Sequence, residues 1–488
     1  MIAEKYLDKW TNLRVLVIGE AMLDCYVHGT TNRLCREAPV PIVDLSDRED
    51  VPGGAANTAA NINNLGASAI FLSVVGDDEE GDRLKNALLK QGISTQYLVT
   101  SSQRKTLLKQ RISSDSQILL RCDKGSIETI DSEAEQQLID RLNELFPTCD
   151  GIVISDYSGG ILTPRIIQSL TKLQASHSRI VVVDSKKLTN YKSIGATAIK
   201  PNYQQAVQLL GIPTLKGKER IDQITAYGEK LLDLVNTQLA AVTLDAEGAI
   251  VFERDNPPYL ITSNPTRNSQ ATGAGDTFVS GLTLALASGA EVKLAAAIAS
   301  ATAAIVVTQP GTTTCNLAAL RQFFSENKKI VSSHKILAFI VQEHRRFGQK
   351  IIFTNGCFDI LHRGHVTYLN RAKTLGDILI VGVNSDESIR QLKGPNRPVN
   401  CLSDRLAILS ALESVDYVIP FSESTPRELI KIVRPDIYVK GGDYTPEMLP
   451  EVPLVESLGG VVKILPYVSN ISTTAIVNRI YQTFVSKQ

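Results

Sequence analysis

Short runs of Val, Ile and Leu recur along the first part of the chain, each closed by Gly, Asp or Ser: Arg14–Gly19, Ala69–Gly76, Gly151–Tyr157 and Ile180–Ser185. Continuous rather than alternating apolar runs predict strands buried on both faces, hence a parallel sheet covered by helices. Two segments break the rhythm. Pro39–Leu45 and Leu107–Arg121 mix polar and apolar positions and read as exposed strands of a small flap beside the main sheet. The uncharged stretch Leu294–Gln309 is rich in Ala, Ser and Thr; it is short for a membrane span and reads as a tightly packed core helix. Residues 317–349 are helical in pattern and charged, and a linker is expected at 331–349, with the boundary near 330–348. A second β/α series follows: Ile351–Gly356, Ile378–Asn384, Tyr417–Phe421, Ile437–Gly441 and Val461–Pro466. The expected organisation is a first domain over 1–330 and a smaller one over 350–488, both α/β, with no internal repeat.

Length agrees, since 488 residues exceed what one core serves. The balance of 51 basic and 51 acidic residues gives no support to a nucleic-acid coat or a membrane-surface binder. Seven scattered cysteines without a CxxC pair argue against zinc sites and disulfide frameworks. The N-terminus has charges at Glu4, Lys5, Asp8 and Lys9 and does not read as a signal peptide, so reduced thiols in a cytoplasm are expected.

Two segments carry phosphate chemistry. In Ala271-Thr272-Gly273-Ala274-Gly275-Asp276, just before the helix predicted at Val279–Ala287, Gly273 and Gly275 let N–H groups converge on one point. A helix N-terminus adds its positive end, and Asp276 at the rim is placed to take a proton from an attacking hydroxyl. Upstream, Gly53 and Gly54 open a small-residue helix bearing Asn57, and Asp24 follows the first strand, where open α/β sheets place ligand groups.

The second segment is Thr354-Asn355-Gly356-Cys357-Phe358-Asp359-Ile360-Leu361-His362-Arg363-Gly364-His365. A strand ends in a turn, and two histidines three apart open a helix, where free N–H groups and the helix dipole favour anions. Gly364 permits close approach, and the helix Val366–Leu375 carries apolar residues at 366, 369, 372 and 375 that face the sheet. Lys393 and Arg397 lie on a basic loop, Lys440 ends a strand, and Ser472, Thr473 and Thr474 supply hydroxyls. No nucleophile with its base is present, and none is required when a substrate phosphate attacks a nucleotide.

Through its GGAAN segment and GAGD signature, residues 1 to about 320 resemble the ribokinase-like sugar kinases. The resemblance implies a parallel sheet with a strand-made lid and phosphorylation of a sugar hydroxyl by ATP with Mg²⁺. It implies Asp276 as base, Gly273, Ala274 and Gly275 as anion hole, and Asp24, Gly53, Gly54, Asn57, Arg121 and Lys186 on the sugar. Asn202, Tyr203, Gln204, Gln205, Thr243, Asp245 and Gly248 would face the nucleotide. Gln205 stands where the family has a Glu that organises magnesium, which puts the metal site in question. Thr312-Thr313-Thr314 lies where the family often holds a monovalent cation. Residues 351–488 resemble the cytidylyltransferase-like nucleotidyltransferases, a Rossmann-like fold. There the resemblance implies His362, His365 and Lys393 as catalytic, with Asn355, Gly356, Phe358, Asp359, Gly364, Arg397, Lys440 and the 472–474 hydroxyls on the nucleotide. Kinase then adenylyltransferase on one chain is similar to the bacterial bifunctional heptose-phosphate enzymes. That implies heptose 7-phosphate phosphorylated at O1 and, after a separate phosphatase, AMP transfer to heptose 1-phosphate, giving ADP-heptose for surface polysaccharide. It also implies a homodimer through the kinase domain. Open alternatives are the same two chemistries on another sugar phosphate or with CTP, and a nucleotide sensor with a decayed kinase half.

Overall fold

A computed structural model describes residues 2–114, 117–217, 219–261, 272–309, 311–326, 329–331, 333–346, 348–442, 445, 448–466 and 482. The chain divides into two compact units, Met1–Phe323 and Phe324–Gln488.

The first unit is built on nine strands in the order Tyr259–Ile261, Ala249–Glu253, Leu239–Thr243, Ala198–Ile199, Ile180–Ser185, Gly151–Asp156, Arg14–Gly19, Ser68–Gly76 and Leu98–Ser101. All pairings are parallel except those of the first two strands in that order. The four apolar runs expected as strands lie in this sheet, and residues 151–156 are buried throughout. Burial on both faces is why those runs do not alternate.

From the end of Arg14–Gly19 the chain leaves the sheet as a long strand, Ala21–Leu34. It pairs antiparallel with Pro41–Gly54 and parallel with Leu107–Ser114, which pairs antiparallel with Gln117–Lys124. This four-stranded lid contains the two segments expected as a flap. It also takes up Asp24, which follows the first strand as expected and lies within a lid strand.

Two helices meet beneath the lid. Ala55–Asn64 is buried from Ala55 to Ile62, and only Ala, Asn, Thr and Ile occupy those positions. Ala274–Ala287 packs against it and against Val292–Val307; a Cβ at Gly281 would come within 2.7 Å of Thr302 Oγ1. The expected core helix over 294–309 is thus present as Val292–Val307, and among the described residues no helix is long and apolar enough to cross a membrane.

The second unit holds five parallel strands ordered Tyr417–Phe421, Ile378–Asn384, Ile351–Gly356, Ile437–Gly441 and Val461–Leu465. Strand order reverses beside Ile351–Gly356, and ligands of open α/β sheets bind at such a switch. Alternate residues supply two cores: Ile351 and Phe353 on one face, Ile352 on the other with Leu379 and Val381. Within the segment expected as a linker, the helical pattern is present as the helix His334–Arg346, whose Leu337 and Val341 join the first of those cores. An i, i+4 apolar pair on a charged helix is enough to dock it.

Candidate active sites

In the first unit the helix Ala274–Ala287 starts from Gly273 at φ 82°. A Cβ at Gly273 would stand 2.9 Å from Asn57 Nδ2, and one at Gly275 2.9 Å from Lys200 Nζ. Both glycines are therefore set by close approach, and the second brings a buried ammonium to the helix start. Lys200 is paired with Asp184 at 2.7 Å. Asp276 is buried, and two donors hold its carboxylate: Asn57 Nδ2 at 2.8 Å and the Tyr157 hydroxyl at 2.5 Å. Burial pushes its pKa up to about 6; those two hydrogen bonds oppose the rise, Asp184 adds to it and Lys200 opposes it. A carboxylate so tuned is ionised at neutral pH yet basic enough to take a hydroxyl proton.

A cleft of about 230 Å³ lies beside Asp276, lined among others by Tyr157, Lys186, Lys200, Asn202 and Gln205. Lys186, expected on the sugar, is thus found with the residues expected on the nucleotide. Gln205 completes a capping box: its Oε1 accepts from Asn202 N at 2.7 Å, and Asn202 Oδ1 accepts from Gln205 N at 2.9 Å. Tyr203 turns the other way. Its ring lies in the core, and its hydroxyl donates to Gln223 at 2.6 Å and accepts from Leu215 N at 2.7 Å. Gln204 is exposed. Thr243 N donates to Pro201 O at 3.0 Å, setting that strand end beside Asn202. Asp245 faces solvent with Arg220 at 3.1 Å, and Gly248, at φ 101°, closes the turn.

At the lid, Asp24 pairs with Arg111 at 2.7 Å and accepts from Thr312 at 3.1 Å. A Cβ at Gly53 would lie 2.5 Å from Asp24 Oδ2, while Gly54 takes φ 57° at the helix start. A second cleft, of about 220 Å³, is lined by Asn57, Thr312, Thr313 and Thr314 among others, and Thr313 Oγ1 is buried without a partner among the described residues. Arg121 is not brought to the site. It stands opposite Arg111 on the outer lid strand, exposed, and pairs with Asp123 at 3.0 Å. The cation that does reach Asp24, Arg111, was missed, as were Tyr157 and Glu20. Tyr157 ends a predicted strand, so its place at the carboxyl edge was legible but its reach to Asp276 was not.

In the second unit His362 occupies the position just before the helix Arg363–Lys373, with no hydrogen bond from its side chain to the helix start. The His362 and His365 rings stack with centroids 3.8 Å apart, and the edge of Phe358, held at φ 45°, meets His365 at 5.3 Å. Both Nδ1 atoms are buried without a hydrogen-bond partner among the described residues. Burial, then the charges of His362 and Lys393, push the His365 pKa down to about 4, and burial lowers that of His362. Gly364 is buried in the first helical turn. Lys393 ends the helix Asp386–Lys393 and Lys440 lies near the end of its strand; both act electrostatically on Cys357, and burial lowers the Lys440 pKa. Asn355 Oδ1 accepts from Tyr438 at 2.8 Å, and a Cβ at Gly356 would touch the Phe358 ring at 3.1 Å.

Asp359 and Arg397 face each other. The buried carboxylate accepts from Arg397 at 2.7 Å, Val399 N at 2.7 Å and Asn400 N at 3.0 Å. Burial alone would raise its pKa, but these donors hold it below the usual carboxylate range. Arg405, fully buried and missed in the sequence, donates to Cys357 O at 2.7 Å, Asn400 O at 3.1 Å and Asp386 at 2.7 Å, tying the motif turn to the basic loop. Ser472, Thr473 and Thr474 lie outside the described residues, as do Ala271, Pro310, Asp443 and Tyr444. Among the described residues no group of three or more His, Cys, Asp or Glu could hold a metal ion.

Residues 12–319 match the pfkB family of carbohydrate kinases, and residues 353–479 the cytidylyltransferase-like family. Bifunctional protein HldE of Trichlorobacter lovleyi is 36% identical across 100% of this chain and 99% of its own length. Bifunctional protein HldE of Syntrophotalea carbinolica is 38% identical across 99% of this chain and 98% of its own. Among solved structures, phosphofructokinase-2 from Escherichia coli in complex with potassium superposes with a TM-score of 0.53. It covers 64% of this chain and 98% of its own at 18% identity, a likeness of fold.

Proposed function

The chain belongs to the family of bifunctional HldE proteins, and from that premise we propose that it phosphorylates D-β-D-heptose 7-phosphate at O1 with ATP and adenylylates D-β-D-heptose 1-phosphate. It is an enzyme with a kinase domain and a nucleotidyltransferase domain. The observation that carries the substrate reading is end-to-end likeness to HldE proteins, combined with two separate phosphate sites in that order.

In the kinase step the O1 hydroxyl gives its proton to Asp276 as its oxygen attacks the γ-phosphorus, and ADP leaves. Free N–H groups at the start of Ala274–Ala287 and the Lys200 ammonium meet the charge on the transferring phosphoryl group. Asp24, Asn57 and the Gly53-Gly54 turn hold the sugar. The donor set suits a magnesium ion that arrives with ATP, because Gln205 Oε1 is committed to Asn202 and Asp184 to Lys200. The metal would supply charge neutralisation at the phosphates, and Thr312, Thr313 and Thr314 would offer oxygens to a monovalent cation.

In the second step an oxygen of the sugar 1-phosphate attacks the α-phosphorus of ATP, and pyrophosphate leaves. His362, His365, Lys393 and Lys440 surround the charge, and no protein group is acylated or phosphorylated. The intact Asp276 cradle speaks against a decayed kinase half.

For the homodimer we place the partner on the lid, which exposes Leu34 (67%), Leu45 (62%), Ile118 (58%) and Leu120 (54%) on edge and near-edge strands. Sedimentation of Ile118→Lys with Leu120→Lys should then give a monomer, and an unchanged dimer would remove the lid from the interface. The substrate reading is tested by offering a panel of sugar phosphates with ATP or CTP. Preference for another sugar, or for CTP, would overturn it.

A further inference from the structure

Glu20 is the first residue beyond the strand Arg14–Gly19 and is completely buried. A carboxylate in that position is costly unless several donors satisfy it. Among the described residues its donors are all backbone N–H groups of the turn that follows the neighbouring strand: Tyr157 N at 2.6 Å, Gly159 N at 3.1 Å and Ile161 N at 3.4 Å. That turn bends through Ser158 at φ 63° and Gly160 at φ 83°. The fit is close, since a Cβ at Gly159 would stand 2.6 Å from Glu20 Cγ. From the other side Arg104 donates to the carbonyls of Ser126, Glu128 and Gly159.

The turn carries Tyr157, one of the two donors on Asp276. The other donor, Asn57, stands on the helix Ala55–Asn64, and Ala55 N donates to Glu20 O at 3.1 Å. One residue at the sheet edge therefore anchors both elements that aim hydrogen bonds at Asp276. We propose that Glu20 is a positioning residue of the kinase, its carboxylate clamping the 157–161 turn so that the Tyr157 hydroxyl reaches Asp276. The inference rests on Asp276 as the kinase base and not on which sugar is phosphorylated. Charged and titratable groups facing Glu20 are Asp156, which repels it, Arg104, which attracts it, and Tyr191, whose hydroxyl is bonded to Asp156.

The test compares kinase turnover of full-length Glu20→Gln, Tyr157→Phe, the double variant and Gly159→Ala, using whichever sugar phosphate the parent protein accepts. Glu20→Gln should lower kcat about tenfold or more with KM for ATP changed less than about twofold. In the Tyr157→Phe background the same substitution should cost less than about a further twofold, because its route to Asp276 is already cut. Gly159→Ala should reproduce the loss by displacing the turn from the other side, which keeps the test alive if Glu20→Gln does not fold. Adenylyl transfer should be unchanged in all four. A Glu20→Gln or Gly159→Ala kcat within about twofold of the parent, or losses that multiply in the double variant, would overturn the inference. Asp276→Asn serves as reference: if it stays active, the base assignment has failed, not the clamp.

Discussion

Replacing Asp276 by Asn should abolish the kinase while leaving its domain at least as stable at neutral pH. The catalytic part follows from removing a positioned base, worth ~10²–10⁴ in kcat. The stability part follows from burial. The carboxyl pKa is raised from 3.8 to about 6, so the ionised form at pH 7.5 opposes folding by ~3 kcal/mol. That penalty is full above the folded-state value and disappears as the pH falls through 6 towards 3.8. Asparagine escapes it but leaves Asn57 Nδ2 or the Tyr157 hydroxyl facing an amide NH₂, at ~1–3 kcal/mol. The balance is between zero and a small gain at pH 7.5, and the variant's relative standing should worsen by roughly half the carboxylate penalty at pH 5. ADP release and thermal unfolding of the kinase-domain transition at both pH values measure this. A variant that keeps a tenth of parental turnover refutes the base assignment. One that unfolds well below the parent at pH 7.5, with no pH dependence in the difference, refutes the electrostatic reasoning.

Three further outcomes concern the second site. His365, with a pKa pushed down to about 4, is neutral near pH 6 and burial holds His362 below the ordinary imidazole value, so ATP binding there should take up protons as phosphate oxygens raise the imidazole pKa values. Calorimetry in two buffers should show this uptake in the parent and less of it in His365→Ala; equal uptake would contradict it. Asp359→Asn loosens the basic loop through Arg397 and Asn400, and should lower adenylyl-transfer kcat/KM by about tenfold, with a loss of ~1.5–3 kcal/mol. Asp359 has a depressed pKa, so its contribution is present at neutral pH and is lost as the pH falls below the usual carboxylate range; a pH-independent difference would count against this. Arg405→Met strands the Cys357 and Asn400 carbonyls, and denaturant melting should show the second domain weakened by ~1–3 kcal/mol per carbonyl while kinase activity persists.

Much of this structure was legible in the chain, for identifiable reasons. Val15–Ile18 and Ile378–Val383 are uninterrupted apolar runs, and only strands covered on both faces are satisfied by them. The cradle glycines were legible because close approach leaves no other choice. Ala21–Leu34 was not: it mixes polar and apolar residues, passes through Gly29 and shifts register on its partner, so no single period marks it. Nearness to a motif also says nothing about where a side chain points. Tyr203 sits beside a cleft residue yet faces the core, and Asp359 lies in the histidine motif yet turns to the basic loop. Arg121 and Arg111 occupy opposed positions on adjacent lid strands, and only pairing reveals which reaches Asp24. Glu20, an acid after a strand, acquires meaning only once the turn it clamps is in view.

Mass spectrometry of products from D-β-D-heptose 7-phosphate and ATP tests the two-site assignment most directly. The purified chain alone should yield heptose 1,7-bisphosphate and ADP. With a phosphatase that removes the 7-phosphate, it should yield ADP-heptose and pyrophosphate. An unchanged heptose 7-phosphate, or a 1-phosphate that accumulates without pyrophosphate, would contradict it.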